Sequence, residues 1–268
     1  MPPRPFAQVD VFTSTPYRGN PVAVVLDGEG LTTEQMQRFA HWTNLSETTF
    51  VLPSSGSADY RLRIFTPNAE LPFAGHPTLG SCHAWLAGRE PDRVVQECGA
   101  GLIEIRRTEH GLAFAAPPLL RSGPVEESLI AHVASVLGIS RSDIVDASWA
   151  DNGPGWVAVL LASAEAVLAL RPGYVDLDVG VAGFDDDGVL EVRAFFPKDG
   201  STAEDPVTGS LNASLAGWLL ESGRVQTPYL AHQGTALGRA GRVHVTQADG
   251  EIWIAGGTVT CVSGEVAV

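Results

Sequence analysis

The feature that most limits how this chain can fold is an internal repeat with a period of half its length. The segment FTPNAELPFAGHPTLGSCHAWLAG begins at Phe65, and a similar segment, FFPKDGSTAEDPVTGSLNASLAGWLLESG, begins later in the chain. Each contains Phe-x-Pro, then Glu-x-Pro, then a Gly followed by small and apolar residues with one Trp. A shift of 134 positions, half of the 268 residues, places Glu70 on Glu204 and Gly75 on Gly209. A repeat of this length predicts a duplicated fold.

Two further pairs of segments keep the same order along the chain. GNPVAVVL in the first half resembles GPGWVAVLL in the second, and GLIEIRRTEHGLAFA resembles GRVHVTQADGEIWIA. The preserved order of separate pieces makes accidental recurrence of Gly and Pro a poor explanation. The sequence therefore predicts two halves, residues 1–125 and 126–268.

The local patterns indicate what each half contains. Short runs rich in Val, Ile and Phe between Gly, Pro and Asp turns predict strands, and most connections between them are too short for crossover helices. The helix predicted after each repeated Gly has no charged face, so it should be buried on nearly all sides. We therefore predict an α+β fold of two pseudo-symmetric halves, each a curved, mostly antiparallel or mixed sheet around a central helix.

Composition restricts the classes of partner. The chain has 17 Lys and Arg against 31 Asp and Glu, and its net charge of -14 would repel a nucleic-acid backbone. The N-terminus lacks the apolar run of a signal peptide, and no stretch of about 18 apolar residues suggests a membrane span. We expect a cytoplasmic protein that binds neither nucleic acid nor membrane. Its three cysteines share no CxxC spacing and are read as reduced thiols.

The two predicted helix starts form the first candidate site. Pro77 suits the first turn of a helix, which makes His76 the predicted N-cap, and Ser210 holds the equivalent position in the second half. Unpaired N–H groups and the positive end of the helix dipole at each start suit a carboxylate ligand. Ser210 is equally well read as a cap alone. Histidine is a poorer cap than Ser, which favours a second role for His76.

Two carboxylates stand out near these helix starts. Asp205 occupies the position that Leu71 holds in the first half, so it either caps the helix or faces a shared cleft. Glu47, in NLSETTFVLP, has hydroxyl and apolar neighbours in sequence, and it is either a solvated junction residue or a group kept for proton transfer. No third ligand joins His76 and His83, so we expect no metal.

At these positions the chain resembles the PhzF-like family of phenazine-biosynthesis proteins. The motifs that carry the resemblance are GNPVAVVL, NLSETTF, FTPNAELPFAGHPT and EDPVTGS, together with a Gly-rich C-terminal segment. The resemblance implies the diaminopimelate-epimerase-like fold, with the active site in the cleft between the two halves. It also implies a cofactor-independent isomerase that acts on a small carboxylate-bearing substrate, and a homodimer.

Residue by residue, the resemblance assigns Glu47 as the general acid and base. It assigns His76 and Asp205 to the catalytic set, where they bind, orient or polarise the substrate. The residues expected to contact the substrate are Ser210, Gly75, Gly209 and Asn20. A carboxylate enclosed in a partly apolar cleft has its charged form disfavoured, which is compatible with proton exchange near neutral pH.

Two other functions remain open at the level of the sequence. Amino-acid racemases and epimerases of the same fold place a Cys just before each helix-opening Gly, but Ala74 and Thr208 hold those positions in this chain. A binding protein that retains the cleft for a small acid without catalysis is the other alternative. Neither the substrate nor a role in phenazine biosynthesis follows from the motifs.

Overall fold

The structure, a computed structural model, describes residues 2–54 and 56–268 as two compact units. Unit 1 runs from the start of the chain to Ala115 and includes Ala255–Val268, and unit 2 comprises Ala116–Ile254. The grouping differs from the predicted division at residue 125, because the C-terminal segment belongs to the first unit.

Unit 1 alternates short strands with two helices. Its elements in chain order are β1 (Pro3–Val11), β2 (Asn20–Val25), α1 (Thr33–Thr43), β3 (Glu47–Leu52), β4 (Tyr60–Phe65), β5 (Glu70–Leu71), α2 (Gly75–Leu86), β6 (Arg93–Cys98), β7 (Gly101–Thr108) and β8 (Gly111–Ala115). The pairs β2–β3 and β4–β6 are parallel, whereas β1–β2, β3–β4, β4–β5, β6–β7 and β7–β8 are antiparallel. The helices α1 and α2 are the crossovers that parallel pairing requires.

Unit 2 repeats this order. Its elements are β9 (Arg121–Pro124), α3 (Glu127–Leu137), β10 (Ile144–Asp151), β11 (Val157–Leu161), α4 (Ala164–Ala169), β12 (Val179–Phe184), β13 (Leu190–Lys198), β14 (Ser201–Asp205), α5 (Gly209–Glu221), β15 (Tyr229–Gln233) and β16 (Gly241–Ala248), after which the chain returns to unit 1 within β17 (Glu251–Gly256). The parallel pairs are β11–β12 and β13–β15, and the antiparallel pairs include β10–β11, β12–β13, β13–β14 and β15–β16. The strand series β1–β7 and β10–β16 therefore have the same connectivity, as the repeat predicted.

The last strand explains why the unit boundary differs from the prediction. β18 (Thr258–Ala267) pairs antiparallel with β1, and in unit 2 the strand β9 pairs antiparallel with β10 in the same way. The partner that completes each sheet thus precedes the rest of unit 2 in sequence but follows the rest of unit 1. Such pairing between the two ends of a chain leaves no local signal in the sequence.

Helices α2 and α5 are the buried central helices that the sequence predicted. Most of their residues are buried, and each helix packs closely against its own sheet. A Cβ on Gly80 of α2 would lie 2.4 Å from Cγ1 of Val22, and one on Gly180 of β12 would lie 2.3 Å from Cδ1 of Leu211 on α5. Glycine at these two positions allows the close approach of helix and sheet.

The surface helix α1 begins with a capping box. Thr32 and Gln35 form a reciprocal capping box, with the Gln35 N–H donating to Oγ1 of Thr32 and the Thr32 N–H donating to Oε1 of Gln35. Among the described residues, no helix combines the length and the apolar character needed to cross a membrane.

The repeated Glu residues anchor the loop that precedes each central helix. In unit 1, Arg63 donates from Nε and Nη2 to the two carboxylate oxygens of Glu70, at 2.7 and 2.6 Å. In unit 2, Arg193 donates in the same way to Glu204, at 2.9 and 2.7 Å. Each guanidinium also lies over the ring of the Phe two residues later. Both repeated glutamates therefore have a structural role.

Candidate active site

Glu47 is the first residue of β3, directly after the turn that ends α1. Asn44 closes that helix in the left-handed conformation, with φ of 53°, and β3 then pairs with β2 so that Glu47 lies beside Val22. The side chain of Glu47 is 15% exposed. The junction predicted from the sequence is present, and it holds the carboxylate largely out of solvent.

Glu47 contacts His76 on the central helix. Its Oε2 atom lies 3.3 Å from Nε2 of His76, whose side chain is 5% exposed. Burial lowers the pKa of His76 from 6.5 to about 3, so the imidazole is neutral at physiological pH. The contact is therefore not an ion pair but a meeting of a carboxyl group with a neutral ring.

Polar groups face both ring nitrogens of His76. Nδ1 lies 3.5 Å from Nδ2 of Asn20, and a hydrogen bond with the backbone of Pro21 opposes part of the fall in the pKa of His76. Nε2 faces Oε2 of Glu47. A neutral imidazole has one N–H and one lone pair, and the tautomer sets which of the two Nε2 presents to Glu47.

Asn20 is held beside His76 by a close backbone turn. It is fully buried at the start of β2. The preceding Gly19 donates its N–H to Oδ2 of the buried Asp10, at 3.2 Å, and a Cβ there would lie 2.3 Å from the carbonyl oxygen of Val11. Asp10 was not singled out in the sequence, because one Asp in a strand has no distinctive pattern.

The central helices begin two residues earlier than predicted. The N-cap residues are Ala74 and Thr208, so His76 and Ser210 are not caps but the second residue of α2 and of α5. The prediction was wrong because Pro77 was placed at the first helical position. Proline also fits the third position, where the N–H has no intrahelical partner. The equivalence of His76 and Ser210 within the repeat is retained.

Backbone N–H donors are present at the start of each central helix. The prediction that Gly75 and Gly209 contact the substrate depends on these donors. In α5 the first helical hydrogen bond runs from the Asn212 N–H to the Thr208 carbonyl, so three N–H groups precede it. In α2 the corresponding bond runs from Thr78 to Ala74, and proline removes one donor. Both glycines are buried first residues of their helices.

In unit 2, Ser210 is oriented by the loop before β11. Nε1 of Trp156 donates to Oγ of Ser210 at 3.1 Å, and Nδ2 of Asn152 donates to the Ser210 carbonyl at 3.0 Å. Because the hydroxyl accepts from the indole, its own hydrogen is available as a donor. The loop is shaped by Asp151, whose Oδ1 accepts the N–H groups of Gly153 and Gly155.

Asp205 ends β14, three residues before the N-cap of α5. Its Oδ2 accepts a short hydrogen bond of 2.6 Å from the hydroxyl of Thr208. The structure thus brings Glu47, His76 and Asn20 together in unit 1 and describes Asp205 and Ser210 in unit 2. The expectation that both groups line one cleft stays a prediction.

Asp178 in unit 2 was not identified from the sequence. Burial and the neighbouring Asp151 raise the pKa of Asp178 from 3.8 to about 6. Asp178 directly precedes β12, where Val179 pairs with Val157 as Glu47 pairs with Val22 in unit 1. The position equivalent to Glu47 is therefore apolar in unit 2, so the repeat alone could not reveal Asp178.

None of the three cysteines occupies the position before a helix-opening glycine. All three are free thiols, and burial raises the pKa of Cys82, inside α2, to about 12. Within residues 2–54 and 56–268, no three His, Cys, Asp or Glu side chains are grouped so that they could hold a metal ion.

Comparison with known proteins gives matches over almost the whole chain. A family model described as phenazine biosynthesis-like protein matches residues 9–264. Antisense-enhancing sequence 1 of Schizosaccharomyces pombe is 36% identical over 289 residues, covering 97% of each chain. Trans-2,3-dihydro-3-hydroxyanthranilate isomerase of Pseudomonas fluorescens is 37% identical over 240 residues, covering 86% of each chain.

A solved structure extends the similarity to the fold. The crystal structure of a Bacillus anthracis phenazine biosynthesis protein of the PhzF family matches with a TM-score of 0.84 and 26% identity over 100% of both chains. The α+β fold class predicted from the sequence is confirmed.

Proposed function

The chain belongs to the phenazine biosynthesis-like protein family and is an isomerase of that family, and on this premise we propose that Glu47 moves a proton on a small carboxylate-bearing substrate. In the first step the Glu47 carboxylate removes a proton from a substrate carbon, and the electron pair of the broken C–H bond shifts into the substrate. In the second step the carboxylic acid returns the proton to another carbon. The double bond has then moved, and no oxidant or cofactor has been consumed.

The contact between Glu47 and His76 is the observation that carries this proposal. After the first step Glu47 holds the proton, and a carboxylic acid needs an acceptor when it is enclosed. Nε2 of the neutral His76 ring lies 3.3 Å away, and in the tautomer with the ring hydrogen on Nδ1 it supplies that acceptor. In this tautomer the pair stabilises the protonated form of Glu47 that the second step requires.

The other predicted residues are proposed to hold the substrate. The N–H groups at Gly75 and Gly209 suit a carboxylate, because helix starts favour anions. Ser210 has a hydroxyl hydrogen to donate, Asn20 lies beside the imidazole, and Asp205 accepts hydrogen bonds from substrate O–H or N–H groups. Homodimer formation and cytoplasmic location stay predictions.

A two-thiol racemase of the same fold is not favoured. The residues before the two helix-opening glycines, Ala74 and Thr208, cannot supply thiols. Cys82 lies inside α2 with its pKa raised to about 12, so it has no thiolate at neutral pH. One carboxyl group acting in both steps is the chemistry that the described residues support.

The test is the variant Glu47→Gln, compared with Glu70→Gln as a matched control. The first probe substrate is trans-2,3-dihydro-3-hydroxyanthranilate, named for the Pseudomonas relative, followed by other cyclic and acyclic carboxylates. In D₂O the wild-type protein should release isomerised product, and any deuterium that exchange with solvent introduces should be at the carbon that gains the proton. Glu47→Gln should lower turnover by about 10²–10⁴-fold, the range for positioned acid or base groups, while substrate affinity is largely kept.

Glu70 is paired with Arg63 and is not one of the proposed site residues, so Glu70→Gln should retain turnover. Near-wild-type turnover of Glu47→Gln would contradict the proposal. Tight binding of a carboxylate without any exchange of substrate hydrogen would instead support a binding protein.

A further inference from the structure

A chain of hydrogen bonds leads from a buried glutamine on β15 to the Asp205 carboxylate. Gln233 is fully buried. Its Nε2 donates to Oγ1 of Thr208 at 2.9 Å, and the Thr208 hydroxyl donates to Oδ2 of Asp205 at 2.6 Å. A hydroxyl has one hydrogen, so a Thr208 oxygen that accepts from Gln233 must direct that hydrogen to Asp205.

The remaining atoms of the Gln233 amide fix its orientation. Oε1 accepts the Thr208 N–H at 2.9 Å and Nδ2 of Asn212 at 2.8 Å, and Nε2 also donates to the Asp205 carbonyl at 3.1 Å. A flipped amide would place N–H groups against N–H groups at the first two contacts, so only one orientation fits. All four hydrogen-bonding positions of the amide are used.

The Thr208 hydroxyl is not used as a helix cap. Thr208 is the N-cap residue of α5, but its side chain accepts no hydrogen bond from the first turn of the helix. The hydroxyl donates to Asp205 instead, and the amide oxygen of Gln233 accepts the backbone N–H of Thr208.

The arrangement is absent from the equivalent place in unit 1. There Ala74 stands at the position of Thr208 and Leu71 at the position of Asp205. A buried glutamine, Gln96, does reach the fourth residue of α2, donating to Oγ1 of Thr78 at 3.1 Å, as Gln233 reaches Asn212 in unit 2. A buried glutamine is thus common to the two units, whereas the hydroxyl and the carboxylate occur only in the second.

We propose that Thr208 and Gln233 are positioning residues that hold the Asp205 carboxylate ready to receive the substrate, an inference that rests on the proposed function in assigning Asp205 to substrate binding. Gln233 sets the direction of the Thr208 hydroxyl, and Thr208 occupies one lone pair of Oδ2. The rest of the carboxylate is then presented in one orientation. Neither residue contacts the reacting atoms in this scheme.

Thr208→Val removes the hydroxyl with little change of shape, and Thr208→Ser restores it. Losing the donor to a carboxylate disfavours its charged form, so the ¹³C NMR titration of the Asp205 carboxyl carbon should move to higher pH in Thr208→Val and return towards the wild-type curve in Thr208→Ser. Turnover of the substrate found above should show a raised KM with a smaller change in kcat. The expected fall in kcat/KM is about 10–100-fold, the range for groups that orient metal ligands.

Thr202→Val is the matched control. Thr202 lies on the same strand as Asp205, and its hydroxyl bonds to the Gly173 carbonyl and the Val175 N–H. Its loss should lower stability without moving the Asp205 titration or KM. If Thr208→Val does not fold, Thr208→Ala serves in its place.

An unchanged titration in Thr208→Val, or no recovery in Thr208→Ser, would overturn the proposal. The titration needs no substrate, so it tests the hydrogen bond from Thr208 to Asp205 even if Glu47→Gln shows the proposed proton transfer to be wrong. A shifted titration with unchanged KM would equally overturn the proposal, since the orientation of Asp205 would then have no effect on substrate binding.

Discussion

Nε2 of His76 lies 3.3 Å from Oε2 of Glu47 across two elements that are 29 residues apart in sequence, and the ring is neutral because it is buried. The carboxyl group therefore meets a neutral ring instead of a cation. A cation at this point would hold Glu47 in its charged form and oppose the protonated state of the proposed cycle.

The buried His76 should make stability depend on pH. Its folded pKa of about 3 lies below the unfolded value of 6.5, so below pH 6.5 the unfolded chain binds a proton that the folded chain does not. Stability is therefore lost as the pH falls, by about 1.4 kcal/mol per pH unit for this residue. His76→Gln lacks the term, so the unfolding free energy of wild type relative to this variant should fall between pH 7 and 5.

Urea unfolding of both proteins at pH 7, 6 and 5 measures the difference. His41→Gln, at an exposed position of α1, is the control and should follow the wild-type curve. Parallel curves for wild type and His76→Gln would show that the imidazole is not held neutral.

Asp178 should act in the opposite direction. Its folded pKa of about 6 lies above the usual 3.8, so the folded chain binds the proton more tightly, and this stabilisation is present at low pH and lost as the pH rises through 6. Asp178→Asn should therefore raise the thermal midpoint at pH 8 more than at pH 4.5.

The control for this prediction is Asp176→Asn, two residues earlier. A hydrogen bond from His132 lowers the pKa of Asp176, so its removal should not stabilise the protein at pH 8. Equal effects of Asp178→Asn at the two pH values would contradict the raised pKa.

The two repeated ion pairs should differ in strength because they differ in burial. The side chains of Arg193 and Glu204 are 6% and 11% exposed, whereas those of Arg63 and Glu70 are 18% and 38% exposed. Glu204→Ala leaves a buried guanidinium without its carboxylate and should cost about 3–5 kcal/mol of unfolding free energy. Glu70→Ala should cost about 0–1 kcal/mol. Chemical denaturation of the two variants under one set of conditions compares them, and equal losses would mean that burial does not govern these pairs.

Thiol chemistry should not affect turnover. Burial raises the pKa of Cys82 to about 12, and it also raises the pKa of Cys98. The thiolate is the reactive form, so Cys82 should resist iodoacetamide at pH 8 in the folded protein, as peptide mass spectrometry can measure. The double variant Cys98→Ala, Cys261→Ala should keep wild-type turnover. Inactivation by iodoacetamide with the fold intact would support a thiol-based racemase instead.

The sequence by itself determined the duplication and much of the local structure. These features are the shared period, the small residues of α2 and α5 and the capping residues of α1. The sequence alone predicts them without knowledge of the tertiary contacts. The motifs also identified Glu47, His76, Asp205 and Ser210 as candidates, and the order of the strands follows from the repeat.

Only the tertiary structure decided the surroundings of those residues. The pairing of β18 with β1 moved the unit boundary, because strand partners can lie at opposite ends of a chain. Helix geometry placed His76 second in α2, and burial made it neutral. Glu204 is more buried than Glu70, although the two hold equivalent positions in the repeat. The fold also brings Gln233 next to Thr208 and Asp205. Burial and contacts between distant residues set protonation states and hydrogen-bond directions. A local sequence pattern predicts neither.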